Sequence, residues 1–169
     1  MDKIKIEYEE GKQLVLKNVI CCRRKVEQAK ASDILVLIEE YIKNNDLKKM
    51  GPYINVTHGI ETENDKIIMD IEILTSVDRL KNTEERENGI RKIKELVINN
   101  ALVCKMECSP LRLVEVNGEI ENYIEKMKLD PVTPGYLVTK KKDTANNMML
   151  NEMEYELYIG MSCDETNIL

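Results

Sequence analysis

Two glutamates and three tyrosines are the residues whose types and spacing could do chemistry in this chain. In the segments "KIIMDIEIL" (residues 66–74) and "NEMEYELYIGM" (residues 151–161), apolar and polar residues alternate as in a strand with one buried face. The alternation places Glu72 in the first segment, and Glu156 and Tyr158 in the second, on the polar face. Carboxylates beside tyrosine rings suit a cationic, partly apolar ligand. The solvated face of any antiparallel sheet has the same pattern.

Landmarks recur along the chain at a nearly constant spacing, which predicts an internal duplication. Tyr53 in "GPYINV" and Tyr136 in "TPGYLVT" are separated by almost the same stretch of chain as the two glutamates. Further pairs of cysteines and tyrosines keep nearly this offset in the same order. We therefore expect two pseudo-repeats, at about residues 10–78 and 100–163, within a single domain over residues 1–169.

Each pseudo-repeat is predicted to be a strand, a helix and two further strands. Residues 3–9 alternate strictly and predict an additional or extended edge strand. Residues 83–98 have Ile90, Ile93 and Val97 at helical spacing and predict an amphipathic helix that joins the repeats. The predicted fold class is α+β, with the repeat helices on one face of an antiparallel sheet and a central cleft.

The predicted cleft collects the candidate ligand-binding residues. In "YINVTHG" we assign Ile54 and Val56 to the helix side, which turns Tyr53 to the uncovered face. The repeat assigns Tyr136 and Val138 to that uncovered face as well. The candidate ligand-binding residues are Glu156, Glu72, Tyr53, Tyr136 and Tyr158.

Composition and charge limit the classes of partner. The chain has 169 residues and a net charge of −6, which argues against nucleic acid, because binding it needs clustered Lys and Arg. The start, "MDKIKIEYEE", lacks the apolar region of a signal peptide, and the longest aliphatic run, "ILVLI", is far too short to cross a bilayer. We expect a cytoplasmic protein that binds neither nucleic acid nor membrane.

The cysteines and the single histidine give no metal or catalytic signature. The five cysteines include no C-x-x-C pair, and a zinc site with His58 would need an unusual ligand set. We expect reduced cysteines in strands or core, a surface or packing role for His58, and no cofactor or metal. Because no nucleophile elbow, phosphate loop or Cys–His pair at recognisable spacing is present, we predict a protein that is not an enzyme.

The repeat and three motifs, "GPYINV", "TPGYLVT" and the terminal "EYELYIGM", resemble the GyrI-like superfamily. That superfamily includes the effector-binding domain of the multidrug-sensing regulator BmrR, and stand-alone ligand-binding proteins. The resemblance implies that Glu156 is the last-strand glutamate that contacts cationic ligands in a central pocket. The chain has Gly160 where the family usually has proline, and it lacks the usual pocket tryptophan. No helix-turn-helix domain precedes the unit, so we do not expect a complete transcription regulator.

Three functions are compatible with these patterns. The first is a non-enzymatic protein that binds a small cationic or amphipathic effector, with Glu156 as charge partner. The alternative is protein interaction. The chain is also similar to small uncharacterised proteins of Gram-positive bacteria encoded beside LXG toxins of type VII secretion, which implies an accessory or chaperone role. The third is hydrolysis, since some GyrI-like relatives are hydrolases that use a pocket glutamate with aromatic residues.

Overall fold

The computed structural model describes residues 2–80, 89–141 and 152–163, which form six strands and two α-helices. In chain order the elements are β1 (Ile6–Glu27), α1 (Ser32–Asn44), β2 (Ile54–Glu63), β3 (Lys66–Ser76), β4 (Ile90–Cys108), α2 (Leu113–Lys126), β5 (Pro131–Lys141) and β6 (Met153–Met161). A short 3-10 turn leads into each helix. Among these residues, neither helix is long and apolar enough to span a membrane. The α+β class predicted from the sequence is confirmed.

The chain divides into two compact units, each with its own apolar cluster. The continuous unit is Val15–Val97, and the split unit combines Met1–Leu14 with Ile98–Leu169. Every member of one buried cluster belongs to the continuous unit, and every member of the other belongs to the split unit. Each unit can therefore be described from its own residues.

In the continuous unit, β3 lies between β1 and β2, and both pairings are antiparallel. The apolar residues Ile34, Ile38 and Tyr41 recur three or four positions apart on α1, so they form one buried stripe. This stripe packs with Ile71 and Ile73, which are alternate residues of β3. The face of β3 that α1 covers is therefore apolar, as the alternation of the sequence predicts.

In the split unit, β6 lies between β4 and β5, again with antiparallel pairings. Val116 and Ile120 of α2 are buried against alternate residues of β6. The covered residues of β6 are Met153, Tyr155, Leu157, Ile159 and Met161. Tyr8, close to the start of the chain, stacks on Tyr123 of α2 with ring centroids 3.7 Å apart. The N-terminal residues thus complete the core of the split unit.

The two helices end in the same way. Asp46 follows α1 with φ 52°, and Lys128 follows α2 with φ 53°. In each case the next amide donates to a carbonyl in the last helical turn, which is the hydrogen bonding of a Schellman cap. Asn18 and Asn100 share a left-handed φ of 51° and 50°, and the offset between them equals that between Asp46 and Lys128. These features are alike in the two units, and the duplication itself stays a prediction.

The connecting helix predicted over residues 83–98 is wrong for residues 90–98, which belong to β4. Residues 83–88 lie outside the described part of the chain. Ile90 is buried in the same cluster as Ile20 of β1, and that cluster stabilises the extended conformation. The apolar residues of this segment include β-branched types that favour strands, so their helical spacing was a weaker signal than their packing partners.

Four of the five cysteines lie in strands and core, as predicted, and Cys163 does not. Cys21, Cys22, Cys104 and Cys108 are buried strand residues, and Cys163 is exposed. All five lie in the described part of the chain, and all are free thiols. The four buried cysteines therefore act as small apolar residues of the sheet.

Candidate functional site

Glu156 and Tyr158 lie on the face of β6 that does not pack with α2. The register of β5 and β6 sets Tyr136 opposite Tyr158, and Val138 opposite Glu156, so all four side chains share this face. The hydroxyl of Tyr158 donates a hydrogen bond of 2.7 Å to Glu156 Oε2. Lys140 Nζ lies 3.6 Å from the same oxygen. We call Glu156, Tyr158, Tyr136 and Lys140 the Glu156 site.

The carboxylate of Glu156 is largely shielded from solvent, and only one of its two oxygens has a donor among the described residues. Its side chain is 18% exposed. The contacts from Tyr158 and Lys140 both fall on Oε2, and no donor among the described residues contacts Oε1. Burial raises the pKa of Tyr158 to about 12, and the hydrogen bond to Glu156 acts in the same direction. The phenol therefore keeps its proton at neutral pH and remains a donor.

A groove of about 430 Å³ lies beside Glu156 in the split unit. Its walls include the apolar side chain of Met106 and the ring of Tyr155, together with the charged side chains of Lys5, Lys105 and Glu154. The volume falls in the range that holds a small organic molecule. Because Glu156 is one of the residues that line the groove, a ligand in it would lie next to the Glu156 side chain.

Glu72, the counterpart of Glu156 on β3, is fully engaged by its neighbours. Its side chain is buried, at 8% exposure, which demands compensation of its charge. His58 Nε2 lies 3.1 Å from Oε1, and Arg91 Nη2 donates to Oε2 at 3.4 Å. Because both carboxylate oxygens have a partner within the continuous unit, Glu72 acts as a structural anion there.

A β-bulge brings one polar side chain to each glutamate. The register of β2 against β3 shifts between Thr57 and Gly59, which leaves His58 as the extra residue and turns it to Glu72. The register of β5 against β6 shifts in the same way around Lys140, which contacts Glu156. The offset between the two bulge residues is the one that separates the two helix caps. His58, expected to have a surface or packing role, instead has a specific polar contact.

Tyr53 lies on the opposite face of β2 from the one predicted. Val56 pairs with Glu72 across β2 and β3, so Ile54 and Val56 share the face of Glu72. Tyr53 packs against the apolar cluster of the continuous unit, and its hydroxyl donates to Glu39 Oε1 of α1 at 3.4 Å. The assignment of Ile54 and Val56 to the helix side is therefore wrong, and so is the placing of Tyr53 beside Glu72.

The error has a simple origin in the alignment of the repeats. The sequence aligned Tyr53 with Tyr136, whereas the bulges and helix caps keep an offset that is shorter by a single position, which aligns Tyr136 with Ile54. A shift of one residue moves every side chain of a strand to the other face. For Tyr136 and Val138 the predicted face is the observed one.

The structure thus brings together three of the five predicted residues. Glu156, Tyr158 and Tyr136 lie side by side in the split unit. Glu72 and Tyr53 belong to the continuous unit, where they lie on opposite faces of the sheet. The prediction that all five line one groove is therefore wrong for Tyr53, which packs on the α1 side of the sheet.

Three residues next to the glutamates were missed by the sequence reasoning: His58, Arg91 and Lys140. Arg91 lay in the segment predicted to be a helix, and a bulge leaves no mark in the alternation from which His58 could be placed. For Lys140 there was a signal, because it follows Val138 by two positions on the strand predicted to face Glu156. Among the described residues, no group of three or more His, Cys, Asp or Glu side chains could hold a metal ion.

Several solved structures have a similar fold. The cryo-EM structure of EcmrR bound to DNA matches with a TM-score of 0.67 at 12% identity, over 94% of this chain and 57% of that chain. The crystal structure of the EcmrR C-terminal domain matches with a TM-score of 0.62 at 14% identity, over 94% and 98% of the two chains. This chain therefore spans little more than half of EcmrR in the DNA complex, and nearly all of its C-terminal domain.

Two proteins from Listeria innocua are also similar. An uncharacterised conserved protein matches with a TM-score of 0.53 at 13% identity, and a hydrolase with a TM-score of 0.50 at 12% identity. Each match covers 94% of this chain and 92% of the other. The sequence matches no protein-family model and no curated protein. At these identities the similarity concerns the fold, which this chain shares with the EcmrR C-terminal domain.

Replacing Tyr158 by phenylalanine should make stability fall less steeply above pH 10. Tyr158 has a pKa of about 12 in the folded chain and an ordinary value of 10.0. Such a group stabilises the fold below pH 10, and this contribution is lost as the pH rises through about 12. Thermal unfolding at a series of pH values measures the slope. Tyr8, whose pKa is also about 12, remains in both proteins. Parallel curves for wild type and variant would contradict the raised pKa of Tyr158.

Replacing Glu72 by glutamine should lower the free energy of unfolding by about 1–3 kcal/mol, because the neutral amide leaves Arg91 and His58 without their buried anion. Glu154→Gln removes the same charge at an exposed position of β6, and we expect a change below about 0.5 kcal/mol. Urea unfolding of both variants provides the measurement. A Glu72 variant as stable as wild type would remove Glu72 from its structural role.

Proposed function

We propose that this chain is a non-enzymatic cytoplasmic protein that binds a small cationic or amphipathic molecule at Glu156. The cationic group of the ligand pairs with the carboxylate, and its apolar part contacts the neighbouring tyrosines. A groove of about 430 Å³, whose lining includes Glu156, Met106 and Tyr155, lies next to these residues.

The open oxygen of Glu156 is the observation that carries this proposal. Tyr158 and Lys140 contact Oε2, and no donor of residues 2–80, 89–141 and 152–163 contacts Oε1. Because the side chain is largely shielded, its charge is screened less than that of a surface carboxylate. A cation that reaches Oε1 therefore gains a charge-assisted contact that the described part of the chain does not already supply.

The tyrosines provide the apolar part of the site. Tyr136 and Tyr158 are directly opposed across β5 and β6, on the face of Glu156. An organic cation near an aromatic ring gains about 0.5–2 kcal/mol from the ring quadrupole, and the ring also offers apolar surface. The hydroxyl of Tyr158 holds the carboxylate in a defined orientation.

Glu72 and Tyr53 are not part of the proposed site. Glu72 is already bound by His58 and Arg91, so a ligand cation would have to displace a partner from a buried position. Tyr53 is held by Glu39 of α1, and Lys49 Nζ lies 4.1 Å from the centre of its ring. Both side chains therefore have internal partners.

The fold and the cysteines are in keeping with the proposal. The GyrI-like superfamily includes the effector-binding domain of BmrR, in which a last-strand glutamate contacts cationic ligands, and Glu156 is the matching position here. The five free cysteines suit the reducing cytoplasm, where thiols persist.

Hydrolysis, the activity of one similar protein from Listeria innocua, is not part of the proposal. Burial raises the pKa of Cys21 to about 11 and that of Cys104 to about 12, so neither is a thiolate nucleophile at neutral pH. His58, the single histidine of the sequence, is bound to Glu72 rather than placed at the Glu156 site.

Titration with tetraphenylphosphonium, a hydrophobic cation without hydrogen-bond donors, tests the proposed function. We expect saturable binding to wild type, and binding about tenfold weaker to Glu156→Gln, because the amide keeps the shape but loses the charge. Isothermal titration calorimetry gives both constants.

Glu121→Gln is the matched control, because Glu121 is an exposed residue of α2 in the same unit. It should bind the probe as wild type does. Triphenylphosphine oxide, a neutral analogue, should bind weakly and without regard to Glu156. Equal binding of the cation by wild type and Glu156→Gln would refute the proposal, and so would no binding to wild type.

Protein interaction is a second candidate function, favoured by exposed apolar residues. Val114 on α2 is 82% exposed, and Leu111 in the preceding turn is also exposed. Contiguous exposed apolar surface is typical of sites that bind a partner chain. Co-expression with the protein encoded next to this one tests the accessory role. A complex that forms with wild type and is lost in Leu111→Lys/Val114→Lys would support the accessory role. The absence of a complex between the wild-type chain and the neighbouring protein would contradict it.

A further inference from the structure

The groove beside Glu156 is lined by charges of both signs in nearly equal number. Its cationic residues are Lys5, Lys105 and Lys140, and its acidic residues include Glu154 and Glu156. Lys105 Nζ lies 3.3 Å from Glu9, so this lysine already forms an ion pair within the split unit. A groove lined in this way complements a molecule that carries both charges better than one that carries a single charge.

Lys140 is the cationic side chain that already forms an ion pair with Glu156. The bulge in β5 sets Lys140 opposite no residue of β6, and its ammonium group lies 3.6 Å from Glu156 Oε2. A purely cationic ligand at Oε1 lies close to this ammonium, which repels it and shares the same anion. A ligand with an anionic group next to its cationic group can bind both side chains at once, so no charge of this pair loses its partner.

We propose that the Glu156 site selects zwitterionic ligands, with Glu156 binding the cationic group and Lys140 binding the anionic group. This inference rests on the proposed function and names its ligand class. The ligand's two charges lie close together, as the ammonium and carboxylate of a betaine do, because the groups they meet are 3.6 Å apart. Met106 and Tyr155, which line the groove, then contact the apolar substituents of the ligand.

Two probes with the same tail separate this inference from simple cation binding. Decyltrimethylammonium carries only the cation, and N-decyl-N,N-dimethylglycine adds a carboxylate to the same quaternary nitrogen. Calorimetry below the concentration at which either forms micelles gives the dissociation constants. We expect wild type to bind the betaine about fivefold more tightly than the cation.

Lys140→Gln is the decisive variant. It should weaken betaine binding about tenfold, because the carboxylate loses its charge partner. The same variant should bind decyltrimethylammonium as tightly as wild type or more tightly, because the competing ammonium is gone. The preference between the probes is thereby reversed. Lys126→Gln, which removes an exposed charge of α2 in the same unit, should change neither constant.

The outcomes distinguish the two proposals. If Glu156→Gln weakens both probes but Lys140→Gln leaves the preference unchanged, the zwitterion inference fails and cation binding at Glu156 stands. If Lys140→Gln weakens both probes equally, Lys140 only supports the fold, and the inference fails as well. If Glu156→Gln affects neither probe, the proposed function itself is wrong. Loss of betaine binding in Lys126→Gln would indicate unspecific attraction and would also overturn the inference.

Discussion

Covering one face of a central strand with a helix is the constraint on which the rest of this structure depends. In each unit, alternate residues of β3 or β6 pack with α1 or α2, and the residues between them must face the other way. Glu72 and Glu156 occupy such intermediate positions. A single choice, the face that meets the helix, thus decides where the carboxylates of the two glutamates point.

The two glutamates then differ because their neighbours differ. Glu72 is nearly enclosed and has a guanidinium on one oxygen and an imidazole on the other, so its charge is compensated within the chain. Glu156 has a phenol and an ammonium on the same oxygen. The first arrangement compensates both oxygens of a buried carboxylate, whereas the second leaves Oε1 without a donor among the described residues. Glu72 on β3 and Glu156 on β6 thus occupy corresponding positions but differ in their contacts.

Much of this arrangement can be predicted from the local pattern of apolar and polar residues. The rest depends on how the strands pair. Strict alternation in β3 and β6, and apolar stripes in α1 and α2, were sufficient to predict these elements and their covered faces. The face of β2 could not be predicted in this way, because "YINV" fits either face and only the register with Glu72 decides. The bulges at His58 and Lys140 arise from that same pairing. Residues 90–98 form a strand in which Ile90 is buried in the same cluster as Ile20. Helical spacing in the sequence could not show this contact.

The stacking of Tyr8 on Tyr123 has a consequence for the order in which the protein forms. All residues of the continuous unit leave the ribosome as one uninterrupted stretch, and that unit can fold while synthesis continues. Ile4, Ile6 and Tyr8 precede that unit but belong to the other core, whose remaining strands and helix follow the continuous unit in the sequence. Ile4, Ile6 and Tyr8 therefore remain without their core partners until residues 102–161 have been synthesised.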